Sequence, residues 1–330
     1  MNTNGRPALL EVSELVKEFP VGRGLFGTRG VVHAVQDVSF SLSAGETLAV
    51  VGESGCGKST LARCVLRLLV PTAGKITFEG IDITDAPARE LRPLRRDAAM
   101  VFQDPFGSLN PRLRVASIVG EPLREAHFGS KQEIEARVRE LFTQVGLNPE
   151  HFSRFPHEFS GGQRQRIGIA RALSLAPKLL VCDEPVSALD VSAQAQILNL
   201  LADLRDQLGL SYLFITHNLD IVRRFCDRVL VMYLGRVMET ATVAELFAGP
   251  RHPYTAALLA ATPIPNPRLT RARKRTALTG DPPSPLSPPT GCPFHPRCPR
   301  AQQRCRDELP ALTGDGGSHR FACHFPLEAA

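Results

Sequence analysis

The sequence predicts an α/β fold with a parallel-sheet core, interrupted by a helical insertion and followed by a short proline- and cysteine-rich unit. Three observations predict it. A glycine-rich run, GESGCGKST from Gly52 to Thr60, stands between a strand-like and a helix-like segment. Apolar strand-like stretches alternate with helical patterns through residues 8–249. Near Gly249 the composition breaks, and 14 of the 27 prolines fall in residues 251–330.

Taken in order, residues 47–51 (TLAVV) form an unbroken apolar run that suits a buried strand, and residues 59–69 (STLARCVLRLL) carry helical periodicity. Residues 75–78, 98–102, 179–183 and 212–216 are strand-like, with helices between most of them, which implies a parallel sheet. Residues 110–156 show helical patterns only, notably 132–145 (QEIEARVRELFTQV), so a helical insertion is placed at about 104–160. After Gly249 periodicity fades. Residues 262–290 read as an extended linker, and the four cysteines beyond it are the only evident source of order. There is no internal repeat.

Composition bounds the function. With 330 residues, 43% hydrophobic and 22% charged, the chain is ordinary globular material of one large or two modest domains. No apolar run approaches the roughly 18 to 20 residues that cross a bilayer, and residues 1–7 lack a signal-peptide core, so a cytoplasmic location is expected. The formal charge of +6 comes from residues 251–330, which hold 11 Lys/Arg against 5 Asp/Glu. That excess suits lipid headgroups, nucleic acid or an acidic protein surface, and equally a solvated Arg-rich linker at residues 268–275. A nucleic-acid partner is not expected.

Gly52 to Thr60 fits GxxxxGK[ST] in the strand, loop, helix setting that this pattern requires. Gly52, Glu53, Ser54, Gly55, Cys56 and Gly57 can turn backbone N–H groups onto phosphate oxygens. The following helix N-terminus adds its dipole, Lys58 reaches the β/γ-phosphates, Ser59 ligates Mg²⁺, and Thr60 completes the run. Downstream, KLLVCDE ends a strand in Asp183 and Glu184. The aspartate would support magnesium and the glutamate would act as general base on the attacking water, because phosphoryl transfer depends on charge placement. The plain alternative is a pair of strand-end carboxylates capping the next helix.

Between these stands FSGGQR, residues 159–164, before an amphipathic helix at 164–175. It resembles the signature motif of ABC-type ATPases, with Ser160, Gly161, Gly162 and Gln163 as a second anion-binding edge facing the ATP of another subunit. Locally, a Gly-Gly turn with Ser160 as N-cap accounts for it equally. Gln103 resembles the Q-loop glutamine, which reaches magnesium and senses the membrane partner. Asp190 in SALD resembles the D-loop, and His217 the switch histidine beside the γ-phosphate. Phe19 resembles the aromatic that stacks on adenine, with a core phenylalanine as its plain reading. Phe159 departs from the commoner leucine. With six motifs in order, residues 8–249 resemble an ABC transporter ATPase: a P-loop parallel-sheet core with an antiparallel β subdomain and a helical insertion. The resemblance implies ATP hydrolysis with Mg²⁺ held through Ser59, Gln103 and Asp183, and a head-to-tail ATPase dimer.

Cys292, Cys298, Cys305 and Cys323 cluster in a tail too small to bury much core. Four thiolates in a reduced compartment suit an iron–sulfur cluster or zinc, and unligated surface thiols are the plain reading. Cys56, Cys64, Cys182 and Cys226 read as ordinary thiols. Residues 250–263 and 280–298 resemble the C-terminal extension, here residues 250–330, of dipeptide and oligopeptide importer ATPases, where such cysteines are associated with a [4Fe-4S] cluster. The stretch VGRGLFGTRGVV, residues 21–32, before a strand at 33–42, resembles the F-type member of their two unequal ATPase subunits. This implies a heterodimer with a second ATPase, two transmembrane permease subunits, an extracytoplasmic peptide-binding protein, and a peripheral position on the cytoplasmic face of the inner membrane. Import of nickel or glutathione, and a soluble ABC ATPase acting on nucleic acid or ribosomes, are the alternatives. Against the soluble reading stand a single cassette and the lack of coiled-coil heptads.

Overall fold

The computed structural model describes residues 8–24, 27–261, 280–314 and 317–328; most of the expected linker, and its Arg-rich stretch, lies outside them. The strands are β1 (Ala8–Gly24), β2 (Gly27–Ser43), β3 (Thr47–Val51), β4 (Ala73–Phe78), β5 (Ile81–Asp82), β6 (Ala98–Val101), β7 (Leu179–Asp183), β8 (Ser211–Ile215), β9 (Arg228–Tyr233), β10 (Arg236–Thr242), β11 (Thr313–Gly314) and β12 (Arg320–Phe321). Two compact units form. One comprises Met1–Ser43, Thr47–Asp85 and Thr216–Ala330, the other Ala44–Glu46 and Ala86–Ile215.

In the first unit β2, β1, β4 and β5 make an antiparallel sheet in that order, the antiparallel subdomain that the resemblance implies. Leu10, Val12 and Leu15 of β1 are buried while Glu11 and Glu14 face water, and a register shift between Val12 and Leu15 carries the buried side chains past a bulge. β3 is different, with all five residues buried. It pairs in parallel with β9, from Leu48↔Arg228 to Val51↔Val231, which is why TLAVV is apolar without alternation. The helix Lys58–Val65 stops short of the expected 59–69. Arg67 turns to a left-handed φ of 52° and its Nε donates to the Ile83 carbonyl at 2.7 Å, which draws the chain out of the helix.

The tail holds more order than the sequence indicated. β12 pairs antiparallel with β10, Glu239 opposite Phe321, and β11 follows β12. The helix Pro253–Ala261 buries Tyr254 completely. Phe294, from the cysteine-bearing segment, packs tilted against Tyr254 at 5.3 Å and edge-on against Tyr233 at 5.4 Å between ring centres. Apolar and aromatic packing therefore fixes the tail alongside its cysteines, because these side chains come from segments too far apart in sequence to show as periodicity.

In the second unit β6, β7 and β8 form a parallel sheet, with Ala98 opposite Leu179 and Leu179 opposite Ser211. Between β6 and β7 the only regular elements are helices, joined by turns, as expected for the insertion. The helix Lys131–Gln144 starts at a capping box, in which Ser130 accepts from the Glu133 N–H and Glu133 from the Ser130 N–H. Val138, Leu141 and Phe142, spaced three and four apart, form its buried stripe. The helix Gly161–Ala172 begins earlier than the expected residue 164, since Ser160 caps it.

Candidate ATP-binding site

The phosphate loop follows β3 and opens the helix Lys58–Val65. Two of its glycines, Gly52 and Gly57, are required by space. At Gly57 φ is 104° and a Cβ would lie 2.1 Å from the Ala34 carbonyl oxygen; at Gly52 it would lie 2.2 Å from the Met232 oxygen. No other residue fits such close backbone approach. Lys58 is buried, and its Nζ donates to the Gly52 and Glu53 carbonyls at 2.8 and 2.9 Å. The ammonium thus closes the loop on itself, and phosphate oxygens can replace those carbonyls as acceptors. Ser54 and Gly55 are exposed, and Ser59 and Thr60 are half-buried on the first helical turn.

Beside the loop lies a cleft of about 410 Å³, whose walls include Gly52, Glu53, His217, Asp220 and Leu258. His217 is exposed there, just before Asn218, whose side chain accepts from the Asp220 N–H to start the helix Leu219–Phe225. The structure therefore brings His217 and the phosphate loop to one cleft. Phe19 is half-buried on β1 opposite Val32, with the Lys17 ammonium 5.0 Å from its ring centre, so its ring is part-open to a stacking partner.

In the second unit β7 ends in Asp183, which is buried, and Glu184 follows with a left-handed φ of 44°. Such a conformation is unfavourable for a residue with a Cβ and tends to mark functional positions. It is held because the Glu184 N–H donates to the Ile215 carbonyl at 3.0 Å and the Ser187 hydroxyl to the Glu184 carbonyl at 3.0 Å. Gln103, next after the exposed Phe102 beyond β6, donates from Nε2 to Glu184 Oε2 at 3.3 Å. Two of the expected residues, 81 positions apart, thus meet directly.

The signature segment stands in the same unit. Ser160 Oγ accepts from the Gln163 N–H at 3.3 Å, and Gln163 Oε1 accepts from the Ser160 N–H at 3.0 Å. This is a capping box, so the plain local reading is present in full. A Cβ on Gly161 would make an ordinary contact with Leu189 at 3.4 Å, and one on Gly162 would meet Ala193 at 3.3 Å. Asp190 between them caps the helix Val191–Leu208, accepting from the Ala193 N–H at 2.9 Å and from the Ser192 hydroxyl at 2.6 Å. Those bonds hold its carboxyl below the usual carboxylate range.

The four tail cysteines converge. Cys292, Cys298, Cys305 and Cys323 line one cavity with His252 and Phe294. Burial pushes the Cys292 thiol up to about 12 and the Cys323 thiol up to about 11, and raises Cys298. Four soft donors around one enclosed space fit a thiolate-bound metal centre. Among the described residues, however, no group of three or more His, Cys, Asp or Glu side chains is already drawn into metal-holding positions. Cys56, Cys64, Cys182 and Cys226 are buried, as expected of ordinary thiols.

Sequence reasoning missed Tyr254, Tyr233 and Arg297. Tyr254 Oη accepts from the Glu53 N–H at 2.9 Å, and Arg297 donates to both Glu53 carboxylate oxygens at 2.6 and 3.0 Å. No sequence signal could have found a pair separated by 244 positions.

A parallel-sheet fold with a lysine-closed phosphate loop and a strand-end Asp-Glu pair defines an ATP-binding cassette. The ABC transporter family profile matches residues 35–187, and the profile for the oligopeptide/dipeptide transporter C-terminal region matches residues 238–305. A probable peptide ABC transporter ATP-binding protein of Sinorhizobium fredii is 53% identical over 98% of this chain and 91% of its own. The oligopeptide transport ATP-binding protein AppF of Bacillus subtilis is 50% identical over 98% and 99%. Among solved structures, a dimeric post-hydrolysis state of the ATP-binding cassette MJ0796 with ADP and Pi superposes with a TM-score of 0.63 at 29% identity, covering 71% of this chain and 98% of that one. The chain belongs to the ABC transporter ATP-binding proteins of the oligopeptide/dipeptide group. It is an ABC-type ATPase.

Proposed function

We propose that this chain is the F-type ATP-hydrolysing subunit that powers import of di- and oligopeptides through a membrane ABC transporter. The observation that carries the reading is identity of about half across nearly the full length of peptide-transport ATP-binding proteins, tail included. The division of labour is an ATPase domain at residues 8–249, with its insertion at about 104–160, and an extension at 250–330. Partners are a second, unequal ATPase, two permease subunits and an extracytoplasmic peptide-binding protein. The chain sits peripherally on the cytoplasmic face of the inner membrane; among the described residues no helix is long and apolar enough to cross it.

Residues 52–60 cradle the ATP phosphates, and Lys58 exchanges its two carbonyl partners for phosphate oxygens. Ser59, Gln103 and Asp183 hold Mg²⁺, whose charge offsets that of the phosphates. Glu184 takes the proton of the attacking water, His217 contacts the γ-phosphate, and Phe19 stacks on adenine. Gln103, hydrogen-bonded to Glu184, ties the base to the start of the insertion that meets the permease. Ser160 to Gln163, with Asp190, serve the ATP held by the other subunit, so nucleotide favours the closed dimer and hydrolysis releases it. In the tail, Cys292, Cys298, Cys305 and Cys323 would hold a [4Fe-4S] cluster, with zinc as the alternative; the cluster would supply a structural staple or a one-electron centre.

The test is reconstitution. The chain is placed in vesicles with peptide-importer permeases, a second ATPase and a binding protein, and uptake of labelled tripeptide is followed with and without ATP. ATP-dependent uptake supports the reading. ATPase activity stimulated by nucleic acid or ribosomes, with no uptake, would replace it by the soluble alternative.

A further inference from the structure

Glu53 is an anion in a loop that we read as receiving a polyphosphate, and it lines the cleft that His217 also lines. Left unpaired, its carboxylate would repel the incoming charge. The structure shows how it is neutralised. Arg297 lies between Cys292 and Cys298 and grips Glu53 with both arms of its guanidinium, at 2.6 and 3.0 Å. The arginine side chain is only 6% exposed and the glutamate 24%. The same guanidinium donates to Tyr233 Oη at 3.3 Å, and the Glu53 carboxylate drives Arg297 still further above its ordinary range. Tyr254 Oη accepts from the Glu53 backbone N–H at 2.9 Å. Tyr233, Tyr254 and Phe294 pack against one another with ring centres 4.8 to 5.4 Å apart, which holds the two tyrosines that touch Arg297 and Glu53 in place.

From this arrangement we infer that the C-terminal tail is part of the nucleotide site: Arg297 and Tyr254 are positioning residues that fix and neutralise Glu53 so that the phosphate loop accepts ATP. The inference rests on the reading of residues 52–60 as the ATP-phosphate loop. Its logic is electrostatic as well as geometric. A planar bidentate pair holds the carboxylate in one place. The tyrosine hydroxyl occupies the one backbone donor of Glu53, which fixes the loop's entry into the phosphate cradle. Removing the arginine alone leaves a partly buried, uncompensated anion beside the triphosphate, which is worse than removing both charges.

The test measures binding of a fluorescent ATP analogue to the full chain carrying Glu184→Gln, which suppresses turnover, together with melting temperature without nucleotide. Arg297→Ala is expected to weaken binding at least about tenfold, the loss typical of a broken charged hydrogen-bond pair. Adding Glu53→Gln to Arg297→Ala is expected to recover most of that loss, and Arg297→Lys to recover part. Tyr254→Phe should weaken binding by a few fold. Unchanged affinity in Arg297→Ala would overturn the inference, and so would a double variant no better than the single one, which would make the pair a structural staple only. If the parent chain itself bound no nucleotide, the ATP reading of the loop would fall first, an outcome distinct from either.

Discussion

Gln103 Nε2 and Glu184 Oε2 lie 3.3 Å apart in a hydrogen bond that joins the end of β6 to the end of β7. These two parallel strands are neighbours, Val101 opposite Cys182, so the residues just beyond their carboxyl ends project to one place. The bond restrains the carboxylate before substrate arrives, and the left-handed backbone at Glu184 aims it.

Glu184→Gln is expected to abolish steady-state phosphate release while leaving ATP binding intact, because the amide keeps the shape and loses the proton acceptor. Size-exclusion chromatography with ATP should show the dimer accumulating. Normal turnover would remove Glu184 from the role of base.

Gly57→Ala places a methyl group 2.1 Å from the Ala34 carbonyl oxygen, in a backbone with φ of 104°. The chain can accommodate it only by moving the loop or the strand β2 against it. Loss of nucleotide binding and a destabilisation of about 1 to 3 kcal/mol are expected, read by fluorescence titration and urea unfolding.

Ser160→Ala separates two roles. As a cap alone, the hydroxyl contributes about 1 kcal/mol to stability. As a ligand for another subunit's ATP, it also supports nucleotide-driven dimerisation. The expected result is a small fall in melting temperature with complete loss of ATP-dependent dimer in the Glu184→Gln background. A destabilised variant that still dimerises would leave Ser160 as a cap and nothing more.

For the tail, anaerobic purification should give visible absorbance with iron and sulfide near four per chain, the content of one cubane cluster. Cys298→Ser should lose the chromophore, as should chelation of the parent protein. Zinc at one per chain would select the alternative, and a metal-free protein would leave the cavity lined by Cys292, Cys298, Cys305 and Cys323 as a thiol pocket.

The sequence alone determined the local units, because each is set by short-range physics: a phosphate loop between a buried strand and a helix, carboxylates at the end of an apolar run, Ser160 before its helix, an insertion without strands. It also carried the family, since ordered motifs are a linear property. Tertiary structure decided what depends on distant segments meeting. It put Ala34 and Met232 against the loop glycines, strained Glu184 through Ile215, paired β12 with β10, and closed the Arg297–Glu53 pair across 244 positions. None of these leaves a trace in spacing or periodicity, because complementary charge and fit arise only once the chain has folded the two ends of the contact together.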